Sequence, residues 1–327
     1  MKYKYANTLN PFNGIVLLNL GVKKYSIFYA IVFLWIVLSL ISKNFLTLGN
    51  IRNILVQSCP TALMAIGMTF VLIVGEIDLS VAGLQTFAGC LVATFMVNSE
   101  MNIFLAILIT VLIVMLMGSI SGIFVSVFKF PAFISTIGVN SIAAGLSLIV
   151  TGGYAVFGFS EKFNNIGQGS IFGIPIPIII VSFAFIIAAI VLNLTKFGLS
   201  VFAVGGDQEA AKLSGINIGR IKLLAIVISA FMASLAGFIN TARMASAQPV
   251  ISSSVLLDVI AAVVIGGTSL LGGRGSMAGT AIGVLLLGTI RNGLNLLGVA
   301  PSWQLVAIGS VILLAVLFDY LGKRRTS

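Results

Sequence analysis

Four ionisable side chains, Glu76, Asp78, Asp258 and Arg291, fall within or at the ends of long apolar runs. A charge at membrane depth costs ~2.5–3.5 kcal/mol on insertion scales, so such groups turn toward protein or water. Glu76 and Asp78 are two residues apart and would face different ways on one helix. A break after Gly75 would let both reach one cavity, as in the broken helices of transporters. The alternative is a short interfacial turn in which Asp78, helped by Ser80, caps a helix starting at Leu79. Asp258 is either an N-cap or a pathway residue. Arg291 reads as snorkelling from the outer end of its span, with Asn295 on the same face at i+4 and Asn292 facing elsewhere. Asn140 and Asn240 need partners in a helix bundle, either as packing contacts or as ligand contacts. The candidate pathway residues are therefore Glu76, Asp78, Asn140, Asp258 and Asn295.

Other chemistries lack their residues. The chain has no His, which removes the usual general base and the commonest metal ligand. Cys59 and Cys90 form no CxxC, so neither a redox motif nor a thiolate metal site is indicated. No nucleophile stands with a base, which argues against a membrane enzyme. An ion-coupled transporter would need paired carboxylates or His in mid-membrane, and the spans offer few. No GxxxxGK[ST] is present, so any ATP-driven step needs a separate ATPase polypeptide.

The elements that position these residues follow from composition. Of 327 residues, 59% are hydrophobic and 8% charged, with a mean hydropathy of +1.18, against about 25% charged in soluble domains. Too few polar residues exist to coat a soluble globule. A spanning helix needs about 20 mostly apolar residues. The runs lack the alternation of barrel strands. Ten spans are expected, near 25–42, 56–75, 80–98, 103–127, 131–151, 174–194, 223–242, 256–272, 276–297 and 302–319. The fold class is an all-α polytopic membrane protein. Spans two to five and seven to ten flank a polar loop and span six. Each half begins with a polar interruption (Glu76-Ile77-Asp78; Asp258) followed by a Gly-rich stretch, the pattern of an inverted repeat. Small residues such as Gly118, Ser119, Ser121 and Gly122 either pack helices closely or reflect the Gly content of membrane helices. Trp35 and Trp303 read as interfacial anchors.

Residues 1–24 read as a cytoplasmic tail rather than a cleaved signal, 25–320 as the transmembrane domain, and 321–327 as a second cytoplasmic tail. With ten spans, thirteen of the eighteen basic residues collect on one side and five (Lys43, Arg52, Lys162, Arg243, Arg291) on the other, which places both termini inside. The net charge of +10 is thus mostly orientation. No basic run is interleaved with aromatics, so nucleic acid is not expected as a partner.

The most polar connection is 195–222. Asp207 suits an N-cap, Glu209 falls in the first turn and Gly215 suits a stop, predicting a short helix over 208–214. Ala210, Ala211 and Leu213 give it a small contact face with Lys212 beside it. Such a helix either docks a partner or rests on lipid.

Its stretch Ala-Val-Gly-Gly-Asp-Gln-Glu-Ala-Ala-Lys-Leu-Ser-Gly-Ile-Asn (203–217) resembles the coupling segment of permease subunits of ribose-type bacterial ABC importers. Gly-Glu-Ile-Asp-Leu-Ser-Val-Ala-Gly (75–83), Ala-Arg-Met-Ala-Ser-Ala-Gln-Pro (242–249), the run 257–275 and Arg-Asn-Gly-Leu-Asn-Leu-Leu-Gly-Val (291–299) are similar to further motifs of that family. The likeness covers roughly 45–320. It implies ATPase coupling through Asp207, Glu209, Ala210, Ala211, Leu213, Ser214 and Gly215. It also implies a partner ABC ATPase that binds ATP and Mg, an extracytoplasmic sugar-binding protein and a second permease copy, identical or related, in the lipid of a bacterial cytoplasmic membrane. The implied cargo is a monosaccharide or small polyol, with nucleosides carried by a near relative. Two positions depart from the family pattern: Glu76 stands where Gly is usual, and Leu256 where Glu is usual. If those positions line a pathway, the cargo can differ from ribose.

Overall fold

The computed structural model describes residues 28–250, 253–310 and 313. The tails 1–24 and 321–327, and the end of the span expected at 302–319, lie outside the described residues. Among those described the chain is helical: α1 (Phe28–Ile41), α2 (Leu48–Ile73), α3 (Val81–Val97), α4 (Ile103–Ser126), α5 (Ala132–Thr151), α6 (Glu161–Gln168), α7 (Ile176–Leu194), α8 (Lys196–Gly206), α9 (Gln208–Leu213), α10 (Ile218–Met244), α11 (Ser253–Ile265), α12 (Met277–Leu296) and α13 (301–310). A two-stranded antiparallel hairpin, β1 (Ser170–Ile171) and β2 (Ile174–Pro175), joins α6 to α7.

Among the described residues, six helices, α2, α4, α5, α7, α10 and α12, are long and apolar enough to cross a membrane. Each of the ten expected stretches meets a helix, but several boundaries move for local reasons. Helix α2 starts at 48 rather than 56, because the Thr47 hydroxyl caps it by accepting from Asn50 N and Arg52 stays exposed. Helix α10 starts at 218 rather than 223, because Asn217 accepts from Arg220 N. Helix α11 stops at Ile265 rather than near 272. Gly266 and Gly267 end it, and Gly267 holds φ +89, a left-handed conformation that glycine tolerates without a Cβ penalty. At 13 residues α11 spans ~20 Å and does not cross a ~30 Å core alone.

The core centres on α2 and α10, the two most buried long helices. They pack on each other reciprocally: α10 also packs on α3 and α4 while α2 packs on α11 and α12, and α3 meets α4 as α11 meets α12. Exchanging α2 with α10, α3 with α11 and α4 with α12 preserves this pattern, as a repeat requires. Close approach depends on small residues. A Cβ on Gly118 would overlap the Ala230 side chain and one on Gly122 the Leu223 side chain, so the small residues of α4 serve its contact with α10.

Polar groups inside the bundle are matched across helices. Asn50 and Asn292 exchange amide hydrogen bonds of 2.9 and 2.8 Å, the Thr69 and Thr280 hydroxyls meet at 2.7 Å, and Trp35 Nε1 donates to Thr289 at 3.2 Å. Trp35 is thus a helix contact as well as an interfacial ring.

The chain ends of the helices sort into two layers. One gathers 74–80, 127–131, 195–217 and 266–276; the other holds α6, the hairpin and 245–250, where Val156 bridges Ala247 and Gln168 donates to the carbonyls of Ala242 and Arg243.

One contact tests this packing. A Cβ on Gly205 would overlap the Ile73 carbonyl, whereas Gly206 has open space around it. Gly205→Ala is expected to destabilise the detergent-solubilised chain by about 3 kcal/mol or more, and Gly206→Ala by less than ~1 kcal/mol. Thermal unfolding of the two variants measures the difference, and equal stabilities would remove the close contact.

Candidate functional site

Helix α9 is built from its flanks. Asp207 ends α8 and caps α9, its Oδ1 accepting from Glu209 N at 2.9 Å and Ala210 N at 3.0 Å. Ser214 closes the helix one residue earlier than the 208–214 expected. Gly215 takes φ +79, and the bonds Gly215 N to Lys212 O and Ile216 N to Ala211 O complete a left-handed stop. The expected contact face is divided. Ala211 is buried inside the chain, while Glu209, Ala210, Leu213 and Ser214 are exposed, Leu213 to 90%. Ala211 therefore belongs to the packing of α9 and not to its outer surface. Sequence reasoning missed α8, although Thr195 before the apolar run 197–204 carries its signal: the Thr195 hydroxyl accepts from Gly198 N.

Three glycine-bearing backbones meet at the base of α9. Gly205 lies against the Ile73 carbonyl at the end of α2, and Gly273 N donates to that same carbonyl at 2.8 Å. A Cβ on Gly272 would stand 2.8 Å from Gly205 O and 3.0 Å from Gly75 Cα, and one on Gly273 2.9 Å from Gly206 Cα. The end of α8 that leads into α9, the break after α2 and the α11–α12 connection are thus joined without intervening side chains.

The break at 74–80 is real, but it does not bring Glu76 and Asp78 into one cavity. Gly75 turns the chain at φ +89. Glu76 Oε1 accepts from Lys222 Nζ at 2.6 Å, a partly buried ion pair across to α10. Asp78 is fully buried, and its Oδ1 accepts from Ser80 N at 2.8 Å and Ser80 Oγ at 2.5 Å. Ser229 of α10 lies beside this carboxylate without an aligned hydrogen bond. Helix α3 starts at Val81, after Ser80, rather than at Leu79. The irregular backbone is satisfied from α5, with Leu79 N donating to Thr136 Oγ1 at 3.0 Å, as buried non-helical backbone requires.

Asp258 is not an N-cap. It sits in the middle of α11 and accepts from the Arg291 guanidinium of α12 at 2.5 Å. Arg291 is held by this partner rather than simply snorkelling. The pair borders a chamber with Gln57, Ser58 and Thr61 whose volume is about 40 Å³, room for a water or so but not for a sugar. Asn140 Oδ1 accepts from Gly83 N at 2.9 Å and fixes α5 on α3. Asn295 Oδ1 accepts from Gln304 Nε2 at 2.8 Å and ties α12 to α13. Asn240 Oδ1 accepts from Arg243 at 3.2 Å. The five pathway candidates therefore lie in separate places: Glu76 at the α9 end, Asp78 in the α2–α3 break, Asp258 in the small chamber, and Asn140 and Asn295 between helices. Among the described residues no three His, Cys, Asp or Glu side chains gather as a metal site.

The family profile described as "Branched-chain amino acid transport system / permease component" matches residues 50–316. The ribose import permease protein RbsC of Haemophilus influenzae is 43% identical over 91% of this chain and 94% of its own length. RbsC of Bacillus subtilis is 42% identical over 89% and 91%. The D-allose transport system permease protein AlsC of Escherichia coli is 37% identical over 97% and 96%. No solved structure matches the chain.

The Glu76–Lys222 pair lies between the surface and the buried limit, where coupling of about 1–3 kcal/mol is expected. A double-mutant cycle with Glu76→Gln and Lys222→Met, read by thermal unfolding, checks this. Strictly additive losses would mean that the two charges do not support each other.

Proposed function

The chain belongs to the family of branched-chain amino acid transport system permease components, and from that membership we propose that it is the membrane subunit of an ATP-driven, binding-protein-dependent importer carrying a monosaccharide into the bacterial cytoplasm. The observation that carries the cargo class is the near full-length likeness to permeases named for ribose and allose. The family description names branched-chain amino acids, but it covers a broad group. Identities of 37–43% along nearly the whole of both chains speak more narrowly, for a ribose-like sugar or related polyol.

The division of labour follows from the residues. Without a phosphate-binding loop of its own, the chain leaves ATP and Mg to a separate ATPase. Helix α9 is the docking element for it, through Glu209, Ala210, Leu213 and Ser214, while Asp207 and Gly215 set its two ends and Ala211 seats it. An extracytoplasmic sugar-binding protein delivers cargo at the opposite end, where α6 and the hairpin lie. One chain supplies half of the pathway, so a second copy or a related permease completes it. Both termini are cytoplasmic. Seven of the thirteen basic residues that favour this orientation (Lys2, Lys4, Lys23, Lys24, Lys323, Arg324 and Arg325) stand in tails outside the described residues.

Transport proceeds by alternating access. Closure of the ATPase subunits moves α9, and the glycine contacts at its base pass that displacement to the end of α2 and to the α11–α12 connection. Asp258, Arg291, Gln57, Ser58 and Thr61 are the groups best suited to meet sugar hydroxyls, once the helices around their small chamber part.

Leu213→Asp places a charge on the exposed side of α9 and leaves its packing intact. It is expected to lower labelled ribose uptake about tenfold or more and to weaken co-purification of the ATPase, with an unchanged unfolding temperature. Wild-type uptake with the ATPase still bound would remove α9 from the coupling role.

A further inference from the structure

Helix α9 has a second side that the docking role does not use. Gln208 and Lys212, one turn apart, line a cavity of about 610 Å³ between α9, the start of α10 and the α4–α5 corner, within the ~300–1,000 Å³ typical of small-molecule sites. Glu209, Ala210 and Leu213 do not line it. Its walls carry three lysines and one carboxylate. Glu76 and Lys222 neutralise each other across the inner wall at 2.6 Å. Lys129 and Lys212 have no carboxylate partner among the described residues and leave two positive charges facing the space.

The cavity adjoins the exposed apolar faces of α4 and α5. Lys129, which stands between Phe128 and Phe130 in the sequence, forms the α4–α5 corner in a left-handed conformation, φ +55. The rings of Phe124, Phe128 and Phe130 cluster with centroids 5.4, 5.5 and 6.3 Å apart, and all three are exposed. Phe130 also lines the cavity. Helices α4 and α5 are mostly unburied along their apolar lengths, as lipid-facing spans are. A cationic pocket that continues into an exposed aromatic cluster on lipid-facing helices matches a molecule with an anionic head and an apolar body.

We propose that this cavity binds the phosphate headgroup of an anionic phospholipid from the leaflet on the α9 side, held by Lys129 and Lys212, with its acyl chains along Phe124, Phe128 and Phe130. The headgroup then bridges the α4–α5 corner and α9, so that the lipid fixes the inner side of the helix whose outer side faces its partner. A free phosphate shares the headgroup chemistry but makes no use of the aromatic wall. The effect on α9 rests on its proposed docking role, but the lipid site itself does not, and its test does not involve uptake.

The test uses the purified full-length chain in nanodiscs holding equal amounts of phosphatidylglycerol and phosphatidylcholine, with retained lipid read by native mass spectrometry after detergent extraction. The wild-type chain is expected to retain phosphatidylglycerol in preference, and less of it as salt rises. K129Q and K212Q should each lower that retention about fivefold, whereas K129R/K212R should keep it. K162Q, at the opposite end, should change nothing. Equal retention of both lipids by the folded wild-type chain would overturn the site, and that comparison needs no variant to fold. Retention unchanged in K129Q/K212Q would also overturn it. Displacement of the lipid by millimolar inorganic phosphate, with equal thermal protection in lipid-free detergent, would reassign the cavity to a free anion.

Discussion

Three strands of backbone in contact at Gly75, Gly205 and Gly272–Gly273 set the terms for the rest of the molecule. No side chain separates them, and the Ile73 carbonyl is shared between the Gly205 contact and the Gly273 amide. Packed backbone of this kind does not yield gradually, because interiors are dense and any shift must be taken up by a neighbour. The end of α8, from which α9 springs, therefore stands on the same footing as the break after α2 and the connection after α11. Under the importer reading this is the physical reason that a six-residue helix can act on spans many times its size.

Charge inside the bundle obeys a second constraint. Three of the buried or half-buried carboxylates have specific partners: Glu76 with Lys222, Asp258 with Arg291, and Asp78 with the amide and hydroxyl of Ser80. Removing one member of such a pair exposes the other to the full cost of its surroundings. The pairs also bind elements together, α2 to α10 and α11 to α12, alongside the Asn50–Asn292 and Thr69–Thr280 contacts. Lys129 and Lys212, among the charges without an ion-pair partner, are both exposed and line the cavity beside α9.

Much of the fold was legible because its causes are local. Long apolar runs of helix-forming residues identify the spans, and Thr47, Asp207, Asn217 and Gly215 mark helix ends within a turn of their own positions. The site was legible only in part. The helix at 208–213 and its caps were readable, but not which of its residues turn inward, since Ala210 and Ala211 are chemically identical and only the packing of α9 tells them apart. The N-cap alternative for Asp258 does not hold because it sits inside α11 and meets Arg291, and the shared-cavity alternative for Glu76 and Asp78 gives way to separate partners, Lys222 and Ser80.

The sequence by itself determined that this chain is a helical membrane protein, roughly where its long apolar helices lie, which family motifs it carries and that ATP chemistry belongs elsewhere. Hydropathy, capping and motif are properties of short stretches of chain, so each is complete in the order of residues. Only the tertiary structure decided the partners. Glu76 meets Lys222 across 146 positions, Trp35 meets Thr289 across 254, and the glycines of two separate motifs, Gly205 and Gly273, meet on the Ile73 carbonyl. Such pairings depend on how whole helices pack, and no local pattern encodes which of several lysines or glycines will arrive at a given point.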